Sequence, residues 1–207
     1  MSIKVVSESP LRLDTTASVA GLDWPKIFGR DGPVEVEVGI GKGRFLLSVA
    51  QTRPDVLHLG IEWSNEYLRI AEARAERLGL DNVRFVRADA NDLVRRAIAP
   101  GSVAAYYVFY PDPWPKKRHH KRRFLQRANA DAMAATLQPG GALHVATDHD
   151  DYWSVIEPLF DGHPDYARRP AFGGEGFPLP VDGALTNFEV KYEVEGRSRH
   201  RGSWTRR

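Results

Sequence analysis

The sequence predicts a single α/β domain built on a doubly wound, mostly parallel β-sheet. Two observations favour this fold class: short apolar strands alternate with amphipathic helices from residue 33 to about residue 160, and a glycine-rich turn follows the first strand. The chain has 207 residues, of which 42% are hydrophobic, which is enough to bury one ordinary core. We divide it into an irregular N-terminal extension (1–32) and one domain (33–207).

The elements follow in a regular order. Strands are predicted over residues 34–38, 56–61, 83–86, 103–110 and 142–146. Helices are predicted over residues 44–51, 65–78, 93–98, 122–137 and 152–160, and Gly79 and Pro139 end two of them. A late strand over 188–194 shows alternating apolar residues, and we expect it to join the sheet antiparallel to its neighbour.

Composition excludes several kinds of site. The chain contains no cysteine, which removes disulfides, thiolate zinc sites and a thiol nucleophile. The side chains of the adjacent pair His119 and His120 point in different directions on a helix or strand, so we expect no metal site.

The longest apolar run, 104–110, is far shorter than the roughly 20 residues of a membrane-spanning helix, and the first ten residues do not resemble a signal peptide. We therefore expect a cytoplasmic protein.

Positive charge is concentrated in two segments. The formal net charge is +2, yet residues 111–127 carry +6 and the predicted basic tail, 196–207, carries +5, so the rest of the chain is acidic at −9. Either segment alone is compatible with an ordinary solvated surface. Two dense clusters on an otherwise acidic chain favour the binding of a polyanion such as RNA.

A possible cofactor site begins at the turn after the first strand. There the sequence E-V-G-I-G-K-G supplies Glu37, Gly39, Gly41 and Gly43, and glycines let a ligand lie against the backbone. A dinucleotide fingerprint requires a small residue where this chain has Arg44, so NAD is the less favoured ligand. A turn that uses glycine only for its conformation remains the alternative.

Two further acids follow the next two strands. Glu62 ends the second strand, where a carboxylate can accept hydrogen bonds from both ribose hydroxyls, and Asp89 follows the third, where it can accept from an adenine amino group. This succession of glycines and acids resembles the class I S-adenosylmethionine-dependent methyltransferases. The resemblance implies a Rossmann-like fold and S-adenosylmethionine as cofactor, with Glu37 near its methionine part.

The most specific segment follows the fourth strand. Residues 110–123, here called the signature loop, read Y-P-D-P-W-P-K-K-R-H-H-K-R-R, and their three prolines impose an extended course. The string resembles the signature of the tRNA (guanine-N7-)-methyltransferase family. Other matches occur in the family's order: D-W and I-F-G at 23–29, A-T-D ending at Asp148, and T-N-F-E at 186–189.

This resemblance implies methyl transfer to N7 of a guanine in the tRNA variable loop, with tRNA as the partner. It makes Asp112 the catalytic acid, placed beside the cofactor as well. It assigns RNA contacts to a second set of residues: Lys116, Asp148, Thr186, Asn187, Phe188 and Glu189. Many relatives have Lys at the position of Asn187, so one contact to the RNA differs here.

Alternatives differ in the acceptor or in catalysis itself. The same cofactor also serves methyltransferases of other RNAs or of small molecules, and an RNA-binding module on the same fold requires no turnover. Covalent methylation of a pyrimidine carbon is excluded, because that reaction requires a cysteine thiolate. The oligomeric state is predicted only as monomer or homodimer.

Overall fold

A computed structural model describes residues 9–13, 21–174, 177–178, 180 and 199–207. Six α-helices lie in these parts of the chain: α1 (Trp24–Phe28), α2 (Arg44–Thr52), α3 (Asn65–Arg77), α4 (Ala90–Arg96), α5 (Arg127–Thr136) and α6 (Asp150–Asp161). The strands are β1 (Val34–Val38), β2 (Leu57–Glu62), β3 (Val83–Arg87), β4 (Val103–Phe109), β5 (Leu137–Thr147), β6 (Tyr166–Arg168) and β7 (His200–Arg206). A 3₁₀ helix spans Lys117–Arg122.

The strands form one seven-stranded sheet in the order β3-β2-β1-β4-β5-β7-β6. The first five strands run parallel, and β7 runs antiparallel to both β5 and β6. The strand order reverses between β1 and β4, which is where an open sheet of this kind binds its ligands. The predicted fold class, a mostly parallel α/β sheet with a late antiparallel strand, is confirmed.

Burial explains why these segments become strands. All five positions of β1 are buried, as expected for a central parallel strand covered by helices on both faces. Two of those positions carry acids, Glu35 and Glu37, which are only 5% and 2% exposed. Such burial of carboxylates requires a specific reason, because transfer of a charge out of water is costly.

The antiparallel strand lies at a different place in the sequence. The segment 188–194 lies outside the described residues, whereas β7 occupies 200–206, which we had assigned to a basic tail. Trp204 at its centre is fully buried, and its indole Nε1 donates to Asp161 at 2.7 Å. The guanidinium of Arg168 stacks over the same indole at 5.3 Å. The five arginines of 196–207 favour an exposed tail in the sequence and conceal a strand with a buried centre.

Two features order the N-terminal extension. Asp23 caps α1 by accepting from the Lys26 amide at 3.2 Å, and Gly29 ends this helix in the left-handed conformation. Upstream, residues 9–13 lie along the free edge of β3, where Leu13 donates to the Phe85 carbonyl at 2.8 Å. This short segment shields the sheet edge from pairing with another chain.

In the described part of the chain, none of the helices is both long and apolar enough to cross a membrane.

Candidate active site

A cleft of about 570 Å³ opens at the carboxyl ends of β1 to β4. The loops that follow these four strands supply its walls. Five of the lining residues are candidate site residues from the sequence: Gly39, Gly41, Glu62, Asp89 and Asp112. The parallel sheet therefore brings together the glycine turn, two of the strand-end acids and the signature loop.

The three glycines of the turn have different surroundings. All three have positive φ angles, at 78° for Gly39, 53° for Gly41 and 75° for Gly43. A Cβ atom added to Gly39 or Gly41 would face open space, whereas one added to Gly43 would lie 3.0 Å from the Cβ of Ala71. Gly39 and Gly41 thus leave their backbone accessible to a ligand, and Gly43 allows α2 to pack closely against α3.

Backbone amides hold Glu62 in place. Its Oε2 accepts from the Gly41 amide at 2.8 Å, and its Oε1 accepts from the Ser64 amide at 2.8 Å. Each carboxylate oxygen can accept more than one hydrogen bond, so both oxygens retain capacity for a ligand. The geometry fits an acid that receives two neighbouring hydroxyl groups.

Asp89 is the N-cap of α4. Its Oδ1 accepts from the backbone amide of Asn91 at 2.8 Å and from the side-chain amide of the same residue at 2.7 Å. The side chain is exposed and lines the cleft. A hydrogen-bond donor of a ligand can therefore reach its second oxygen.

Glu37 lies in β1, two residues before Gly39, and is buried rather than exposed on the cleft wall. Desolvation by burial raises the pKa of Glu37 to about 8; the Leu46 backbone amide opposes this shift, and the negative charge of Glu62 adds to it. Its Oε2 has no hydrogen-bond partner among the described residues. A buried carboxyl oxygen without a partner beside a ligand cleft suits a cationic group of that ligand.

The signature loop contains two strained residues. Tyr110 and Trp114 have φ angles of 51° and 42°, a region that residues other than glycine seldom occupy. The Tyr110 amide donates to the Ala146 carbonyl at 2.7 Å, which fixes the start of the loop to the end of β5. Such strain persists only where surrounding contacts hold it, and it is characteristic of functional sites.

Arg123 supplies those contacts. It is 3% exposed, its Nε donates to the Pro113 carbonyl at 2.7 Å, and it forms an ion pair with Asp151. Its guanidinium also lies 4.6 Å from the ring centroid of Tyr152. Arg123 belongs to the basic segment 111–127, for which the sequence predicts polyanion binding, but its own charge is buried and paired within the protein.

The cations before Arg123 are exposed. Lys116 precedes the 3₁₀ helix, and the side chains of Lys117, Arg118 and Lys121 are likewise accessible to solvent. The guanidinium of Arg122 stacks over Trp114 at 4.9 Å, and both residues line the cleft. This stack places a cation and an aromatic surface at the cleft entrance.

Of the remaining predicted site residues, one lies in the described part of the chain and four lie outside it. Asp148 directly follows β5, the strand next to β4, and is half-buried. Thr186, Asn187, Phe188 and Glu189 lie outside the described residues. The described residues contain no group of three or more His, Asp or Glu side chains placed to hold a metal ion.

Sequence reasoning missed several lining residues. Trp63 and Tyr67, at 68% and 40% exposed, lie beside Glu62, and Asn91 lies beside Asp89. Their place in the cleft could have been predicted from the sequence, because the first residues after a strand-end acid lie at the same edge of the sheet as the acid. Phe124 also lines the cleft, at a position that we had placed inside a helix.

Solved structures with similar folds are methyltransferases. The aminoglycoside resistance methyltransferase NpmB1 aligns with a TM-score of 0.55 and 20% identity over 84% of this chain and 87% of that chain. TrmN from Thermus thermophilus aligns with a TM-score of 0.58 and 19% identity over 88% of this chain and 47% of that chain. The fold is the Rossmann-like fold of the class I methyltransferases.

Sequence comparison narrows this class. Residues 31–201 match the family model Methyltransf_4, described as "Putative methyltransferase". The tRNA (guanine-N(7)-)-methyltransferase of Mycobacterium avium (strain 104) is 39% identical, covering 90% of this chain and 71% of the relative. That of Bordetella pertussis (strain Tohama I) is 42% identical, covering 73% and 62%. The chain belongs to the tRNA (guanine-N(7)-)-methyltransferase family.

The raised pKa of Glu37 predicts a specific pH dependence of stability. The folded pKa of about 8 lies above the ordinary value of 4.5 for this carboxyl group, so stability is greatest below the unfolded pKa and is lost as pH rises towards 8. Glu37→Gln should remove this loss. In urea denaturation without ligand, the variant should gain stability over the parent from about pH 5 to 8, with no further gain above 8.

Glu66→Gln, at an exposed position in α3, controls for the removal of a carboxylate. A constant difference between Glu37→Gln and the parent protein across this pH range would show that Glu37 is not protonated in the folded state.

Proposed function

We propose that this protein transfers a methyl group from S-adenosylmethionine to N7 of a guanine in the variable loop of tRNA. The observation that carries the proposal is the meeting of Glu62, Asp89 and Asp112 in one cleft with the accessible backbone at Gly39 and Gly41. The names of the relatives, which are 39–42% identical, support guanine N7 of tRNA as the acceptor. We place the reaction in the cytoplasm, catalysed by the domain 33–207 as a monomer or homodimer.

The cleft residues suit the parts of this cofactor. Glu62 accepts from the ribose hydroxyls, Asp89 accepts from the adenine amino group, and the accessible backbone at Gly39 and Gly41 borders the methionine chain that is attached to the ribose. Glu37 neutralises the ammonium of the methionine part, which also supplies the partner that its buried Oε2 lacks. S-adenosylmethionine supplies an electrophilic methyl group on a positively charged sulfur.

Methyl transfer to guanine N7 requires the protein mainly to position the base and the methyl donor. Guanine N7 has a lone pair and no proton, so no side chain has to act as a general base. Catalysis then depends on alignment of the base and exclusion of water. Asp112, held in the strained loop between Tyr110 and Trp114, stabilises the positive charge that develops on the purine.

The signature loop also binds the RNA. Lys116, Lys117, Arg118 and Lys121 contact phosphates, and Arg122 with Trp114 forms a surface on which a base stacks. Asp148 accepts from the donor edge of guanine. Residues 186–189 contribute further RNA contacts, in keeping with the T-N-F-E motif.

Methylation of an unmodified transcript tests the function directly. The purified protein, supplied with methyl-labelled S-adenosylmethionine and a tRNA transcript, should place the label in 7-methylguanosine at one guanine of the variable loop. Nuclease digestion followed by mass spectrometry locates the label. A transcript in which adenine replaces that guanine serves as the control and should remain unlabelled. Label at another nucleotide would contradict the proposed acceptor, and cofactor binding without any transfer would indicate an RNA-binding module.

Asp112→Ala should lower turnover by about 10²-fold or more, the scale seen when one electrostatic group is removed from a transition state. Affinity for S-adenosylhomocysteine, measured by calorimetry, should stay nearly unchanged, because Glu62 and Asp89 hold the nucleoside. Asp92→Asn, at an exposed position on α4, is the matched control. A fully active Asp112→Ala enzyme would remove this residue from the mechanism.

Removal of two exposed lysines should weaken RNA binding. The double variant Lys116→Ala, Lys117→Ala should flatten the plot of log affinity for tRNA against log salt by about two, one for each phosphate contact. Turnover at saturating tRNA should change little. The double variant Lys26→Ala, Arg96→Ala removes two exposed cations outside the loop and is the control for net charge. An equal loss in both double variants would show that the effect is not specific to the loop.

A further inference from the structure

A buried asparagine connects the cofactor side of the cleft to the segment that follows the signature loop. Asn129, in the first turn of α5, is 0% exposed. Its Nδ2 donates to Asn91 Oδ1 at 2.7 Å and to the Phe124 carbonyl at 2.6 Å. Its Oδ1 accepts from Arg95 Nε at 2.6 Å. Asn129 therefore has polar partners on α4 and on the chain just before α5.

Arg95 determines which way these amides point. A guanidinium can only donate, so the oxygen of Asn129 faces Arg95, and its nitrogen faces the Phe124 carbonyl, which can only accept. The oxygen of Asn91 then accepts from Asn129, which turns the Asn91 nitrogen towards Asp89 Oδ1 at 2.7 Å. The donors thus run in one direction, from Arg95 through both asparagines to Asp89.

This direction fixes the carboxylate of Asp89. Both donors from Asn91 meet Oδ1, and no described residue donates to Oδ2. The side chain is exposed, so without the hydrogen bond from the Asn91 side chain only the cap bond from the Asn91 backbone amide would restrain its rotamer. The relay therefore holds Oδ2 available to a donor in the cleft.

We propose that Asn129 is a positioning residue for the cofactor, which fixes Asn91 and, through it, the orientation in which Asp89 accepts the adenine amino group. The inference rests on the proposed function, because it assumes that the cleft binds the adenosine part of S-adenosylmethionine. Asn129 touches no ligand itself. Its contribution is to select one geometry of the acid before the ligand arrives.

Calorimetry with two ligands tests this role. S-adenosylhomocysteine carries the adenine amino group, and S-inosylhomocysteine has an oxygen in its place. The parent protein should bind the adenosine compound about tenfold more tightly, the scale of one well-made hydrogen bond. Asn129→Asp keeps an oxygen for Arg95 but loses both donors. The Asn129→Asp variant should bind S-adenosylhomocysteine about tenfold more weakly, while its affinity for S-inosylhomocysteine stays nearly unchanged. The ratio of the two affinities should therefore fall close to one.

Asn82→Asp is the matched control. Asn82 is also buried, at 2% exposed, and its Nδ2 donates to three backbone carbonyls, those of Ala50, Arg53 and Val56, none of which lines the cleft. This variant should lower the melting temperature and keep the ratio of the parent protein. A ratio that falls equally in both variants would show a general loss of structure and overturn the positioning role.

Arg95→Met provides a second route to the same answer. Arg95 is exposed on α4, so its loss leaves the core intact while removing the donor that orients Asn129. The ratio should fall several-fold, and this measurement decides the question if Asn129→Asp does not fold. An unchanged ratio in Arg95→Met or in folded Asn129→Asp, or equal binding of both ligands by the parent protein, overturns the inference. Failure of the parent protein to bind S-adenosylhomocysteine would instead overturn the proposed function.

Discussion

Parallel pairing of the central strands is the constraint on which the site depends. β1 pairs with β2 on one side and with β4 on the other, so Val38 lies level with both Ile61 and Val108. The residues that follow these strands therefore emerge at one edge of the sheet, although they are far apart in the sequence. An antiparallel β2 would place Glu62 at the opposite edge, and no cleft would join it to the glycine turn.

Two buried acids on β1 differ in how well the surrounding protein satisfies their carboxyl groups. Glu35 forms an ion pair with Arg53 at 2.7 Å and accepts from the Tyr107 hydroxyl at 3.0 Å. Glu37, on the same face two residues later, has only the Leu46 amide to oppose its desolvation. A carboxyl group kept buried with so little support destabilises the fold on its own. Under the proposed function, the ammonium group of the cofactor supplies the partner that Glu37 Oε2 lacks.

Much of the fold was predictable because buried parallel strands are nearly continuous apolar runs. The predicted strand 34–38 coincides with β1, and 56–61 differs from β2 by one residue at each end. The helix predicted over 122–137 begins too early, because α5 starts at Arg127. Residue periodicity continues through 123–126, but neither Arg123 nor Gln126 has helical backbone angles, and the Arg123 side chain donates to the Pro113 carbonyl.

The site was partly predictable for the same reason. Acids that follow parallel strands share an edge, which predicts that Glu62 and Asp89 lie close together, and the resemblance of the signature loop implies that Asp112 lies beside them. The sequence did not distinguish roles among like residues. Gly43 carries the same positive φ as Gly39 yet serves helix packing, and the arginines of 200–206 belong to a strand. These distinctions depend on which neighbours fold against each residue.

The signature loop combines backbone strain with a high density of positive charge. Its positive φ angles at Tyr110 and Trp114 are unfavourable, and its cations repel one another. Arg123 offsets these costs because it is buried and makes directional contacts to Pro113, Asp151 and Tyr152. This internal cation is hydrogen-bonded to Pro113, the residue next to Asp112, whereas the cations that precede it are exposed. Because contacts within the protein hold the loop, the proposed function requires less entropy to be lost when a nucleobase enters.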